Sequence, residues 1–471
     1  MLLLALRKQK ELTNESEAHL AARMQHRTAR ADSQSDTQQV VRQVTPSRPI
    51  NKRGSFVLQL SLALLLAVFA RPSAVRADDI QERFTDAMEA VQAERLNTAR
   101  AMLRELLADY PTLYRARLEL ARVDYLTRNF DAAEAQVTEV LNDPDLPPSV
   151  KTNLTAFLAQ IRDDRRTFEK KHRWSGQVYG GAMYDSNVNF GVARDIVEIG
   201  GLNFQVLPGS KPKEDGAAVI DAGALHTYNP GWSFEAGEDS GFVVWQSQFN
   251  AYYRRYFEET DYNLGVATLR TGPAWVVPEK WSASIGLQLD QLWLGDERLA
   301  LFTTLNPNVT WDVTNQTQLS AGFVITERNY RKDEDDGRDG RLYRGNLGFS
   351  TIYQRGILGL QGGIGYANFD GDDNRFSYTG PEGFLGGTWN AWERGSLYTS
   401  VGYRKFKFKA PEPLFPEARD DDEYRLIVGA RHIFAQTWMV RGEWIYTNNK
   451  SNIALYDFDR NQISLGLAKN W

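Results

Sequence analysis

The sequence predicts a multi-domain α and β chain: an N-terminal tetratricopeptide-like helical array followed by a 14-stranded antiparallel transmembrane β-barrel. Three observations carry this. Residues 79–171 contain no glycine and echo themselves at an offset of 34. From Trp174 onward the texture changes, because all 12 Trp, 36 of the 37 Gly and 17 of the 20 Tyr lie there. In that second region apolar and polar residues alternate with period two, the mark of a half-buried strand.

A leader, residues 1–77, precedes both parts. Phe56–Ala70 is an apolar run of 15 residues, preceded by Arg48, Lys52 and Arg53 and followed by Val75-Arg76-Ala77. A basic segment, a short apolar core and small or short residues before a cleavage point make a secretory signal peptide, cut after Ala77. The alternative is a transmembrane helix, but this run rises only about 22 Å against the ~30 Å hydrocarbon core. Residues 1–47 are polar and patternless, which fits either disorder or a true translation start downstream of Met1.

Charge and composition exclude several functions. Residues 1–77 hold 12 Lys/Arg and 5 Asp/Glu, and the remainder holds 43 and 55. An acidic mature chain argues against nucleic acid as a partner. With 0 Cys there is no disulfide, thiolate metal site, Cys nucleophile or acylated cysteine anchor. The five His, at 19, 26, 172, 226 and 432, are too scattered for a metal cluster. No cofactor is expected, and there is no P-loop for nucleotide-driven transport.

The helical part spans 78–171. At the 34-residue offset Ala87 falls on Ala121, Leu96 on Phe130, Ala99 on Ala133, Leu103 on Val137, Leu106 on Val140 and Leu107 on Leu141. This is the tetratricopeptide period, with small residues where paired helices touch and larger apolar ones filling the groove. Tyr110-Pro111 and Asp143-Pro144 close the two units, and Pro147-Pro148 opens a further helix over about 149–171. Such a stack presents a concave face, to which Tyr114, Arg117 and Tyr125 are assigned. Arg115, Arg117, Glu119, Arg122 and Asp124 read as a solvated face.

The barrel is expected over 173–471. Trp281, Ala283, Ile285, Leu287 and Leu289 alternate with Ser282, Ser284, Gly286, Gln288 and Asp290. The same pattern recurs over 343–351 and 438–446. Gln, Arg, Asp and Gly on one face suit a wet lumen, and apolar faces with aromatics near strand ends suit lipid. A soluble sandwich is the alternative. No helical span follows the leader, and only helices and closed barrels satisfy their backbone in lipid. Strands are expected to begin near 174, 215, 241, 261, 281, 298, 316, 340, 357, 375, 396, 422, 437 and 457. The even count returns the C-terminus to the periplasm, where the helical part begins. Alternation points Arg344, Asn346, Arg425, Arg431, Arg441 and Glu443 into the lumen. The acidic stretches 333–339 and 370–374 read as solvated hairpin loops rather than calcium sites.

Tyr184-Asp185-Ser186-Asn187-Val188-Asn189 closes the first barrel strand, directly after the helical repeats. This motif in this domain order resembles the surface lipoprotein assembly modifier family (Slam), also called type XI secretion outer-membrane proteins. The resemblance covers about 78–471. It implies a periplasmic helical domain on a fourteen-stranded barrel in the Gram-negative outer membrane, with no catalytic residues. It implies export of surface lipoproteins or related secreted binding proteins, with the helical domain recruiting client or periplasmic chaperone. By a separate resemblance, Trp471, a terminal aromatic on an alternating strand, looks like the signal read by the outer-membrane barrel assembly machinery. The motif has a plainer reading as turn chemistry, since Asp, Ser and Asn bond nearby backbone. Two other functions stay open: a polysaccharide or small-solute channel with a helical docking domain, and a structural scaffold. An enzyme is not expected, because only His226 and His432 offer a base in the barrel and no nucleophile is tied to either.

Overall fold

The computed structural model describes residues 74–199, 202–413 and 415–471. The apolar run 56–70 and all of residues 1–73 lie outside them, and the expected cleavage point after Ala77 falls within the first helix.

Five helices come first: α1 (Ala74–Gln92), α2 (Leu96–Asp109), α3 (Tyr114–Leu126), α4 (Phe130–Leu141) and α5 (Pro148–Phe168). The residues that coincide at the 34-residue offset are the core. Ala87, Ala121, Ala99, Ala133, Leu103, Val137, Leu106 and Val140 are all buried, in two clusters that follow one another along the array. Alanine at the crossings lets neighbouring helices approach, while Leu, Val and Phe fill the grooves between them. Pro148 opens α5, where its missing N–H costs nothing.

Two expectations fail here. Glu119 and Asp124 are buried rather than solvated. Arg122 reaches Glu119 at 2.7 Å, and Arg100 of α2 reaches Asp124 of α3 at 3.0 Å. Glu119 is paired within its own helix, and for Asp124 the packing of α2 on α3 supplies the counter-charge that a single-helix reading cannot see. Tyr125 is likewise not offered on an open face. It packs edge-on against Phe130 and Phe157 and donates to Asp164 at 2.6 Å.

The strands are β1 (His172–Asp185), β2 (Ile196–Ile199), β3 (Leu202–Gln205), β4 (Asp215–Tyr228), β5 (Ser233–Ala236), β6 (Asp239–Tyr256), β7 (Leu264–Val277), β8 (Trp281–Leu294), β9 (Glu297–Thr314), β10 (Thr317–Tyr330), β11 (Gly340–Tyr353), β12 (Leu358–Gly371), β13 (Tyr378–Trp392), β14 (Gly395–Pro411), β15 (Ala418–Ile433), β16 (Trp438–Ser451) and β17 (Phe458–Asn470). All but β2, β3 and β5 form one antiparallel ring of 14 strands. The ring closes where β1 pairs with β17, from Gln177 opposite Asn470 to Asp185 opposite Gln462. The three short strands had no signal in the alternation. β2 and β3 form a hairpin inside the 186–214 connection, and β5 pairs only with the start of β6.

Both chain ends of the ring lie at one end, the array end, together with the short turns other than the two-residue 295–296 link between β8 and β9. The long connections lie at the other, the loop end. The outer wall is apolar: Ile220, Ile285, Leu347, Ile364, Leu385, Val401 and Leu465 are all exposed. Exposed Trp174, Trp311, Trp389, Trp438 and Trp471 ring the array end, and exposed Tyr184, Tyr253, Phe257, Tyr366 and Tyr424 ring the loop end. An apolar band between two aromatic girdles is what a lipid bilayer selects. Trp471 sits on the closing seam. It exchanges backbone hydrogen bonds with Gly176, and its ring lies over that residue, where any Cβ would collide with it.

The array is docked on the barrel over β6–β8. The Phe168 ring meets Phe242 at 5.1 Å, and the Arg128 guanidinium lies over both rings. Lys280 pairs with Glu94 at 3.0 Å. The backbone N–H and hydroxyl of Thr98 donate to Glu238 at 2.9 and 2.8 Å. Only residues 169–171 connect α5 to β1. The Thr98 donors, backbone first, hold the Glu238 carboxyl below its ordinary value. Its contribution to docking is therefore present above the ordinary glutamate range and is lost as pH falls through the depressed value. Proteolytic cutting within 169–171 is expected to rise on acidification, and Glu238→Gln should flatten that pH dependence.

Candidate functional site: the barrel lumen

The lumen has two zones. Toward the array end, many inward positions on β9–β14 carry amides or hydroxyls: Asn308, Gln318, Ser320, Asn346, Gln361 and Ser400, interspersed with glycine, with Asp312 accepting from Gln318. Asn308 and Asn346 flank Gly322 so closely that a Cβ there would lie 3.0 Å from both amide oxygens. On the facing wall a shallow polar recess is lined by Gln246, Gln248, Arg270 and Ser284. The Leu225, Phe242, Val244, Ala274 and Val276 patch beside it is covered by Phe168.

Toward the loop end the lumen fills. Charged side chains from many strands meet there. Glu382 lies 3.4 Å from Arg344 and 3.7 Å from Arg404, and Arg404 reaches Glu423 at 3.9 Å. Asp290 accepts from Thr268 at 2.6 Å and from Gln288. Beyond this belt Leu342, Phe369, Tyr378, Phe406 and Phe408 form a buried aromatic cap. Arg328 and Arg419 stack over Phe369 and Phe408 at 4.4 and 3.8 Å.

The six lumen residues expected from alternation all lie on the inner face. They do not form one site. Arg344 belongs to the charged belt and Asn346 to the array-end zone. Arg431 donates to Ser396 at 2.7 Å, Glu443 accepts from Tyr398 at 2.9 Å, and Arg441 lies over the Tyr179 ring at 4.3 Å. Arg425 faces the same interior from β15. His226 and His432 are on the outer wall, stacked on Trp174 and accepting from Trp392 respectively. The acidic stretch 333–339 is only partly solvated, since Asp335 is buried against Arg338 at 3.1 Å.

The motif 184–189 is built into the loop-end mouth. Asp185 is 0% and Arg460 2% exposed, and the two form a bidentate ion pair, the Nε–Oδ1 arm at 2.8 Å. Tyr256 and Gln462 also donate to Asp185, at 2.6 and 2.9 Å. Ser186 bonds Asn461 through both backbone and hydroxyl. The Asn187 side chain donates to the carbonyls of Gly191 and Asp459 at 3.0 Å each and accepts from the Gly191 N–H at 2.7 Å. Asn189 does the same for the returning chain, donating to Lys211 and accepting from Lys213. Val188 is fully buried and Tyr184 points out to the lipid side. The turn chemistry is real, but its role is to fold the chain inward across the mouth. Arg460, Tyr256, Gln462 and Phe190 were missed. Arg460 was within reach, because it continues the inward parity of Gln462 and Ser464 by one step.

A model described as a protein family of unknown function (DUF2860) matches residues 326–470, and a tetratricopeptide repeat model matches 90–154. A surface lipoprotein assembly modifier of Pasteurella multocida (strain Pm70) is 22% identical over 438 residues, 87% of this chain and 79% of that protein. Among solved structures, the anion-selective porin of Comamonas acidovorans overlaps 64% of this chain and 99% of its own at 10% identity and a TM-score of 0.38. The channel DcaP of Acinetobacter baumannii overlaps 64% and 97%, at 10% identity and a TM-score of 0.37. Barrel closure rests on the strand register itself. The barrel is an outer-membrane barrel, and in this reading the helical array is periplasmic. With a tetratricopeptide-like array, a closed 14-stranded barrel and this similarity along most of its length, the chain fits the surface lipoprotein assembly modifier family and supports an outer-membrane translocator role.

Proposed function

We propose that the chain exports surface lipoproteins, or related secreted binding proteins, across the outer membrane, with its helical array recruiting the client or a periplasmic chaperone. The observation that carries this is the similarity to a surface lipoprotein assembly modifier across array and barrel together. Two physical features support it. Between β9 and β14 the array-end lumen carries many amides and hydroxyls, which bond any extended backbone without demanding one side chain. The array is docked beside that entrance rather than free on a long linker. The array takes the client by polar contacts, since Leu126 is its one large apolar side chain exposed among the described residues.

The test deletes residues 79–168, keeps the leader and barrel, and follows surface display of an epitope-tagged lipoprotein encoded beside the chain's gene. The shortened barrel is expected to insert normally and to display several-fold less client. Equal display without the array removes the recruitment role. No display by the intact chain of any neighbouring lipoprotein removes the export reading.

A further inference from the structure

The loop-end mouth is closed by a folded segment of the chain, and the geometry of that segment divides it into a fixed base and a releasable arm. We propose that the inward turn Asn187–Val192, with its return Ser210–Lys213, is a gate over the lumen, and that Phe190 is its latch. The proposal does not depend on what is exported.

The base is held by directional bonds. Asp185 is tied to Arg460, Tyr256 and Gln462, Ser186 to Asn461, and Asn187 to the Asp459 carbonyl. These contacts run to β17 and β6, and those of Asp185 are buried, so they resist motion. The turn is also bonded to itself. Val188 donates to the Lys213 carbonyl at 2.8 Å and Val192 to the Ser210 carbonyl at 2.9 Å. At Gly191 a Cβ would lie 2.3 Å from the Lys211 backbone, so the two limbs are in direct contact. The two limbs beyond Asn187 therefore move as one body.

The arm is held differently. Phe190 has φ +52°, an uncommon conformation for a residue with a Cβ. It is kept there by its ring, which is 6% exposed. That ring joins Phe458 on β17 to Leu264, Leu292, Phe302 and Tyr330 on β7–β10, in one buried cluster. In the ring of strands β17 and β9 stand almost opposite each other. Phe190 thus bridges the lumen from wall to wall. Beyond it the arm rests on Ala454 and Leu455 through Val192, Val197 and Val206, and on the exposed pair Arg194–Asp457 at 2.6 Å. Apolar contact is non-directional, and an exposed ion pair contributes little. The Arg460 guanidinium also lies over the Phe190 ring at 4.4 Å, and Lys213 of the return limb pairs with half-exposed Glu259 at 2.8 Å; with these contacts released, the arm can leave its seat while the base stays bonded.

The test uses the full-length chain, purified and inserted into planar lipid bilayers, with ionic conductance as the readout. Phe190→Ala is expected to raise conductance several-fold, and Phe190→Leu, which keeps the apolar bridge, should stay near the unaltered chain. The chain has 0 Cys, so Arg194→Cys/Asp457→Cys supplies the sole thiol pair. Linking that pair with a reducible bismaleimide should abolish openings driven by high voltage, and reduction should restore them. This second arm needs Phe190 intact, so it stands even if the alanine variant fails to assemble. The proposal is overturned if folded Phe190→Ala conducts like the unaltered chain, or if voltage-driven openings persist while the pair is linked.

Discussion

Asp185→Ala is expected to destabilise the barrel by about 3–5 kcal/mol, the range for stripping one partner from a buried ion pair. The loss arises mainly on the other side of the pair. Arg460 is almost fully buried, and without Asp185 its charge keeps only the Phe190 face and the Tyr256 hydroxyl beside it. The midpoint of urea unfolding in lipid vesicles reads the effect. Asp185→Asn should fall between the two, since it can still accept hydrogen bonds but carries no charge. Replacing both partners, Asp185→Leu with Arg460→Met, should recover part of the loss, because an apolar pair of similar volume leaves no orphaned charge. A loss below about 1 kcal/mol for Asp185→Ala would mean that the pair behaves as a solvated one.

Leu347→Arg is the second large effect. Leu347 is 59% exposed on the outer wall of β11, near mid-strand, while Asn346 beside it faces the lumen. An arginine on the lipid face at mid-depth costs about 2–4 kcal/mol. Leu347→Arg is expected to reduce the folded, membrane-inserted fraction, read by heat-modifiable mobility on gels. Asn346→Arg, placed among water and amides, should insert like the unaltered chain. The reverse outcome would mean that the inner and outer faces of β11 are exchanged.

The fold was legible because both of its periods are local. A 34-residue repeat and a two-residue alternation are properties of neighbouring positions, and they give the helices, the fourteen strands and the inner faces of Arg344 and Glu443. Contacts between distant segments were not legible. Asp185 and Arg460 are 275 residues apart, and nothing near either one names the other. Asp124 looked solvated because its partner Arg100 lies on the preceding helix. Tyr125 looked available because Phe157, which covers it, belongs to the helix beyond the second repeat. The 186–214 connection mixes turn-forming residues with short apolar runs too brief for a sustained alternation, and whether such a stretch points into solvent or across a lumen is decided by closure of the ring.

The three residues between α5 and β1 have a consequence for how the array presents whatever it binds. Fully extended, they reach only about 10 Å. On the proposed recruiting role, a client segment seated on the array would be confined to a small volume at the barrel entrance, at an effective concentration in the millimolar range. While it stays seated, the segment would meet the entrance at that concentration rather than at its concentration in free solution. A weak contact also lets go quickly, since affinity differences reside mostly in the off-rate. In that proposed role, short tethering would resolve the conflict between capturing a passenger and releasing it.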